Sequence, residues 1–312
     1  MESLMMAVNV VLPMTIMVCI GVLLRVVKVT DVGTMKKVDN LIFKVTMPTL
    51  MFYNIYKTDF SKLSNIGYIL YGCAGLTIIF LIAMFFVPKI VKPRATAAAY
   101  GQAILRSNYL IFGSAVAEGI YGAGNYGLIS LLGAVAVPLF NAQSAIVLEA
   151  GRHGTASPKK LILAIFKNPT VIATVIGLIV NFSGIKLPFL VLDVVSDIAG
   201  LTTPLSFLSI GVSLSIAMAG AKFGYLFGAT TLRLVLIPMI FVLGAIFLGF
   251  RGQELCALML LFAAPTAVSS YPMAVAMDAD GDFAGQMVAV TTICCLPTMF
   301  LWTLLLNSLQ LI

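Results

Sequence analysis

Charge is what this chain most conspicuously lacks. Lys, Arg, Asp and Glu together make up 10% of its 312 residues, against about 25% in a soluble globular domain. That scarcity leaves hardly any room for a water-facing domain. Its one histidine, His153, lies in a loop, which excludes a histidine-based metal site. The sequence contains no GxxxxGKS/T loop, so ATP is not consumed through one. No HExxH occurs either, and Asp193 and Asp197 sit on one turn near the end of a segment. An intramembrane protease of either type is therefore not expected: no catalytic residue, no metal and no cofactor. Cys19, Cys73, Cys256, Cys294 and Cys295 all fall in apolar segments, where they read as small hydrophobes rather than a disulfide framework. The start, Met1-Glu2-Ser3-Leu4, has no basic n-region of a signal peptide.

Hydrophobic residues are plentiful instead, at 61% with a mean hydropathy of +1.08. The pattern predicts a polytopic, all-α membrane protein. Ten spans are expected, at roughly 7–27, 38–56, 65–87, 97–120, 127–149, 168–184, 198–219, 222–249, 254–276 and 286–308, each near the ~20 residues a crossing helix needs. The net charge of +7 sits in short loops, which points to topology and anionic lipid, not nucleic acid. With the N-terminus outside, twelve of the nineteen basic residues fall in cytoplasmic loops and four in external ones. Both termini are therefore expected outside. Lys44, Arg106 and Arg233 lie within spans.

A basic linker over 150–167 separates an N-terminal half, 1–149, from a C-terminal half, 168–312. Each half holds five spans. Because five is odd, homologous halves would run in opposite senses. Met47-Pro48-Thr49 corresponds to Thr203-Pro204-Leu205, and Val137-Pro138-Leu139 to Leu296-Pro297-Thr298, at offsets of 156 and 159 residues. A 5+5 inverted repeat is the reading. Span nine breaks its own helix, with Pro265 and Pro272 flanking Thr266, Ser269 and Ser270. Backbone groups freed by proline at membrane depth are tolerated only where protein or a watery cavity satisfies them.

Several segments together resemble one family. Met47-Pro48, Arg106-Ser107-Asn108 with Gly113, Asn168-Pro169, Gly177-Leu178-Ile179 and Pro204-Leu205 leading to Ile210-Gly211-Val212-Ser213-Leu214 resemble the auxin efflux carrier family. The compact linker is similar to the bacterial branch of malate or malonate permeases. The resemblance implies a fold shared with bile-acid sodium symporters. Spans one, two, six and seven would form a scaffold; spans three to five and eight to ten would form a transport domain. Broken helices four and nine would cross at the substrate site. It also implies the bacterial inner membrane, a homodimer through the scaffold, and elevator-type alternating access. In the family a proline often follows the glycine of span four, whereas Ser114 follows Gly113 here.

The expected substrate is a small organic anion, with H+, Na+ or no coupling ion. A bile-acid-like anion or a cation antiporter is the alternative. Expected substrate contacts are Ser107, Asn108 and Gly113 in span four, Asn141 and Ser144 in span five, and Pro265, Thr266, Ser269, Ser270 and Pro272 in span nine, whose half-helix amides favour anions. Arg106 either attracts the anion or snorkels to headgroups. Glu118 is a candidate coupling carboxylate or a vestibule charge. Asp39, Asn40 and Lys44, like Asp193 and Asp197, either pair within the scaffold or contact the moving domain. Asp278 to Asp282 reads as a solvated turn, and Gly220, Gly224 and Gly228 as a packing stripe.

Overall fold

The computed structural model describes residues 13, 16–57, 66–109, 113, 116–117, 120–121, 127–153, 167, 169–213 and 222–312. Glu118, Ser114 and most of the linker lie outside them. The elements are helical throughout: α1 (Ile16–Val26), α2 (Val32–Leu41), α3 (Met47–Tyr56), α4 (Gly67–Phe85), α5 (Val87–Ile90), α6 (Arg94–Leu105) and α7 (Gly127–His153). There follow α8 (Pro169–Phe182), α9 (Phe189–Gly200), α10 (Thr202–Ser213), α11 (Phe223–Thr231), α12 (Ile237–Phe247), α13 (Gly252–Ala263), α14 (Ser270–Ala276) and α15 (Gly281–Ser308). Two π-helical turns, Ile42–Thr46 and Leu232–Leu236, join α2 to α3 and α11 to α12. Each precedes a proline, Pro48 or Pro238, whose missing N–H interrupts the regular ladder.

This is an all-α membrane protein. Among the described residues, four helices are long and apolar enough to cross a bilayer, or five if the two halves of α15, bent by 41°, count as one. Large apolar side chains face outward along their lengths, such as Phe189, Leu190 and Phe247. Such a surface suits a lipid environment.

The core is centred on two helices that never reach that surface. From Leu255 to Ala263 every residue of α13 has zero exposure, and from Thr96 to Leu105 α6 is buried throughout. A helix apolar on all sides belongs inside. Around them pack α4, α7, α11, α12 and α15. A second layer holds α2, α3, α8, α9 and α10, with α8 and α9 against α3 and α10 against α2. The layers meet in two small apolar clusters, one around Ile42, Met47, Leu148 and Met273, the other around Phe207, Tyr271 and Val288.

The turn from Asp278 to Asp282 corrects its expected solvation. Asp278 is exposed and pairs with Arg152 at 2.9 Å, but the Asp280 side chain is 9% exposed and pairs with Lys222. Asp280 also caps α15 through the Phe283 amide and accepts from Thr96. Burial pushes its carboxyl up, yet these three donors outweigh burial and hold it below the ordinary 3.8. Because the folded value is the lower one, this stabilisation is complete above the unfolded value and disappears as pH falls through the folded one. Asp280→Asn should therefore lower the melting temperature at pH 7 and leave it nearly unchanged near pH 3, read by thermal unfolding in detergent.

The glycine stripe is looser than expected: a Cβ on Gly224 would touch nothing, while Gly228 lies against Tyr100; Gly220 lies outside the described residues. The close glycine contact is elsewhere. A Cβ on Gly21 would lie 2.3 Å from the Leu208 carbonyl, and one on Gly211 would lie 2.1 Å from the Val18 carbonyl. Helices α1 and α10 touch backbone to backbone there. Gly211→Val should force them apart and cost about 1–3 kcal/mol as overpacking, seen as a lower melting temperature.

Candidate functional site

Helices α6 and α13 both stop in mid-core, and their ends meet. Arg106 and Ala264 leave the helical region for extended backbone, at ψ 121° and 153°. The Asn108 amide donates to the Pro265 carbonyl at 2.8 Å, and the Ala267 amide to the Arg106 carbonyl at 3.2 Å. Ser107 and Thr266 thereby form an antiparallel bridge. The break in span four needs no proline of its own, because span nine supplies the partners. Thr266 fastens the crossing further: its hydroxyl donates to the Ala103 carbonyl, and its amide donates to Thr291 of α15.

Arg233 completes the knot. Its side chain, fully buried in the π-turn, donates to the carbonyls of Ala264 at 3.0 Å, Ile104 at 3.2 Å and Leu261 at 3.2 Å. One cation thus meets the negative C-terminal ends of both half-helices. No role for Arg233 was expected from the sequence. Its charge at membrane depth was the available signal.

Arg106 is the second buried guanidinium, 1% exposed. It donates to the Ser269 carbonyl and hydroxyl, to the Asn141 side-chain oxygen at 2.7 Å and to the Met273 sulfur. All four acceptors are neutral, and its Nε has no partner. Among the described residues no carboxylate pairs with it. It does not snorkel. It lines a cavity of about 380 Å³ together with Ser107, Asn108, Asn141 and Ser269. The Ser107 hydroxyl and the Asn108 amide nitrogen are buried without partners.

The opposite wall was not expected from the sequence. Leu50, Met51 and Asn54 of α3 face it, with Thr202, Thr203 and Ser206 of α10, while Val137 and Phe140 of α7 add apolar surface. Thr202 and Ser206, one turn apart in an apolar helix, were a readable signal. Asn141 also donates to the Met51 sulfur, linking the two layers.

The remaining expected residues are buried but away from the cavity lining. Ser144 and Ser270 carry hydroxyls without partners, Pro265 serves through its carbonyl, and Gly113 packs near Leu260. Pro272 is buried within α14. Glu118 lies outside the described residues. The amides of Thr266, Ala267, Ser270 and Tyr271 are already engaged within the protein.

A cavity with polar groups and apolar walls at crossed, broken helices has the form of a solute site in a carrier. The profile of a family described as membrane transport protein matches residues 140–303. The chain belongs to this family of membrane transporters, the auxin efflux carrier family. The match takes in Asn141 and the whole of the second break. An uncharacterized transporter of Methanothermobacter thermautotrophicus is 22% identical over 95% of this chain and 97% of its own length. An uncharacterized transporter of Methanocaldococcus jannaschii is 24% identical over 96% of this chain and 98% of its own. As a family member the protein is a multi-pass membrane transporter, and its two arginines differ at the crossing: Arg233 satisfies the protein's own carbonyls, whereas Arg106 lines the cavity.

Each carbonyl that loses Arg233 is left unpaired at a cost of about 1–3 kcal/mol. Arg233→Leu should accordingly abolish the monodisperse folded protein or strongly depress its melting temperature. Arg233→Lys should recover only part of the loss, since an ammonium lacks the guanidinium fork.

Proposed function

We propose that the protein carries small organic anions, chiefly carboxylates, across the membrane. The observation behind this reading is Arg106. A buried guanidinium without a counter-charge costs several kcal/mol. A carboxylate in the cavity would offset that cost and take the free donors of Arg106, Asn108 and Ser107. The same charge disfavours a cation antiporter, because a cation at the crossing would be repelled. The apolar walls from Leu50, Val137 and Phe140 also favour an acid with an apolar body, such as an indole acid, as a second reading beside malate or malonate. A bulkier bile-acid-like anion belongs to that second reading.

The mechanism we propose is elevator-type alternating access. The α4–α7 and α11–α15 block moves as the transport domain against a scaffold of α1–α3 and α8–α10. Together they form ten spans in a 5+5 inverted repeat, with both termini outside and dimerisation through the scaffold. Two observations support the division: the main core lies in one layer apart from Met51 and Leu50 of α3, and the layers otherwise meet through small clusters.

Purified protein in liposomes, offered malate, malonate, succinate and indole-3-acetate, is expected to show saturable uptake of at least one. Arg106→Gln should reduce that uptake about 10–100-fold, the worth of a hydrogen bond to a charged group, and Asn108→Ala up to about tenfold. Undiminished uptake by Arg106→Gln would sink the assignment. No uptake of any of the four acids would remove the carboxylate reading.

A further inference from the structure

We propose that Asp39 is the proton-binding site that couples anion movement to a pH gradient, an inference that rests on the transport reading above. Asp39 belongs to α2 and has zero exposure. Both of its carboxyl oxygens are buried without a hydrogen-bond partner. The hydroxyls of Ser209 on α10 and Tyr271 on α14 lie beside it. The Ser209 hydroxyl is itself buried without a partner.

No cation faces this carboxyl among the described residues. Helix α2 packs against α10, α14 and the 42–46 turn. Helix α10 carries no charged residue, and α14 carries Tyr271 as its only titratable group. The turn carries Lys44, which is exposed, as are Lys36 and Lys37 on α2 itself. Helix α1 reaches Tyr271's cluster through Met17 and Val18, while its Arg25 donates to the Val212 carbonyl. An ionised Asp39 would be an uncompensated buried charge. A protonated one is neutral and gains an O–H that can donate to Ser209. Sodium would need a fuller shell of oxygens than a carboxyl and hydroxyls provide; hard cations collect six or more. The proton is the fitting ligand.

The position links this proton to the cavity. Ser206 lines the cavity, and Ser209 lies three residues further along the same face of α10. Tyr271 lies two residues beyond Ser269, which holds Arg106. Helix α14 thus touches the anion site at its N-cap, Ser269, and places Tyr271 beside Asp39 from another side of the same first turn. In the proposed cycle a proton passes from cavity water to the Asp39 carboxylate. Helix α14 can slide past Asp39 only while the carboxyl is neutral, because an ionised Asp39 would cross the apolar contact as an unpaired buried charge. When the transport domain slides, α14 uncovers Asp39 to the opposite side and the proton returns to water. One O–H bond forms and later breaks, and proton and anion travel the same way.

The test uses the full chain in liposomes and the four acids above. With one proton per anion, a one-unit pH gradient should sustain up to about tenfold accumulation by the wild type. Asp39→Asn mimics the protonated carboxyl, so it should exchange labelled for unlabelled anion yet lose gradient-driven accumulation. Accumulation by Asp39→Asn equal to wild type, or accumulation that follows a sodium gradient alone, would overturn the proposal. A measurement that needs no substrate stands beside it. The infrared difference spectrum between pH 5 and pH 8 should contain a protonated-carboxyl band that is missing in Asp39→Asn and shifted in Ser209→Ala. The same band persisting in Asp39→Asn would also overturn it. If no acid is exchanged by the wild type, the carboxylate reading fails, and the infrared band alone decides on Asp39. Ser209→Ala keeps the carboxyl and serves where Asp39→Asn fails to fold.

Discussion

Everything in this structure depends on how two interrupted helices satisfy their ends inside a bilayer. A freed carbonyl or amide at that depth has no water to turn to. The solution is reciprocal. The strand-like residues of one break bond to those of the other, and Arg233 gathers the carbonyls that remain. Neither break could exist alone, because each is the other's hydrogen-bond partner. The surrounding helices follow from this: α6 and α13 must be central, and so they are buried on every side.

The two buried arginines show how one residue type yields opposite outcomes. Arg233 faces three carbonyl oxygens at helix C-termini, where aligned peptide dipoles concentrate negative potential. Its charge is matched by the fold itself. Arg106 lies at the same crossing, but its acceptors are an amide oxygen, a serine and a thioether. These neutral groups hold the guanidinium in place without cancelling its charge. A residue so placed leaves its charge unmatched at the wall of the cavity it lines.

How much of this was legible in the sequence follows from the range of each interaction. The break in span nine was readable, since Pro265 and Pro272 act locally. The break in span four was only half readable: Asn108 marks it, but its cause is a partner about 160 residues away. The cavity wall on α3 and α10 escaped for the same reason: Thr202 and Ser206 mark a polar face locally, but nothing local to them or to Asn54 says what stands opposite. Asp280 reads as a loop residue by composition, yet Lys222 and Thr96 arrive from other helices to bury it. Proline chemistry is local, whereas burial and pairing are tertiary. Legibility divides along that line.

The contrast between the layers carries the argument one step further. Within the proposed transport domain the contacts are directional and strong: guanidinium to carbonyl, threonine to carbonyl, and an ion pair at Asp280. Breaking any of them would expose a buried polar group. Across to the proposed scaffold the contacts change character. Asn141 meets the sulfur of Met51, a soft acceptor on a flexible side chain, and the apolar clusters there draw on Met17, Met47, Met273 and Met277. Asp39 and Ser209 face one another without a formed bond. Thioethers and unmade bonds cost little to slide past one another. A boundary of this kind is where a rigid block could shift without unfolding, and the crossing with the proposed anion site would move with it intact.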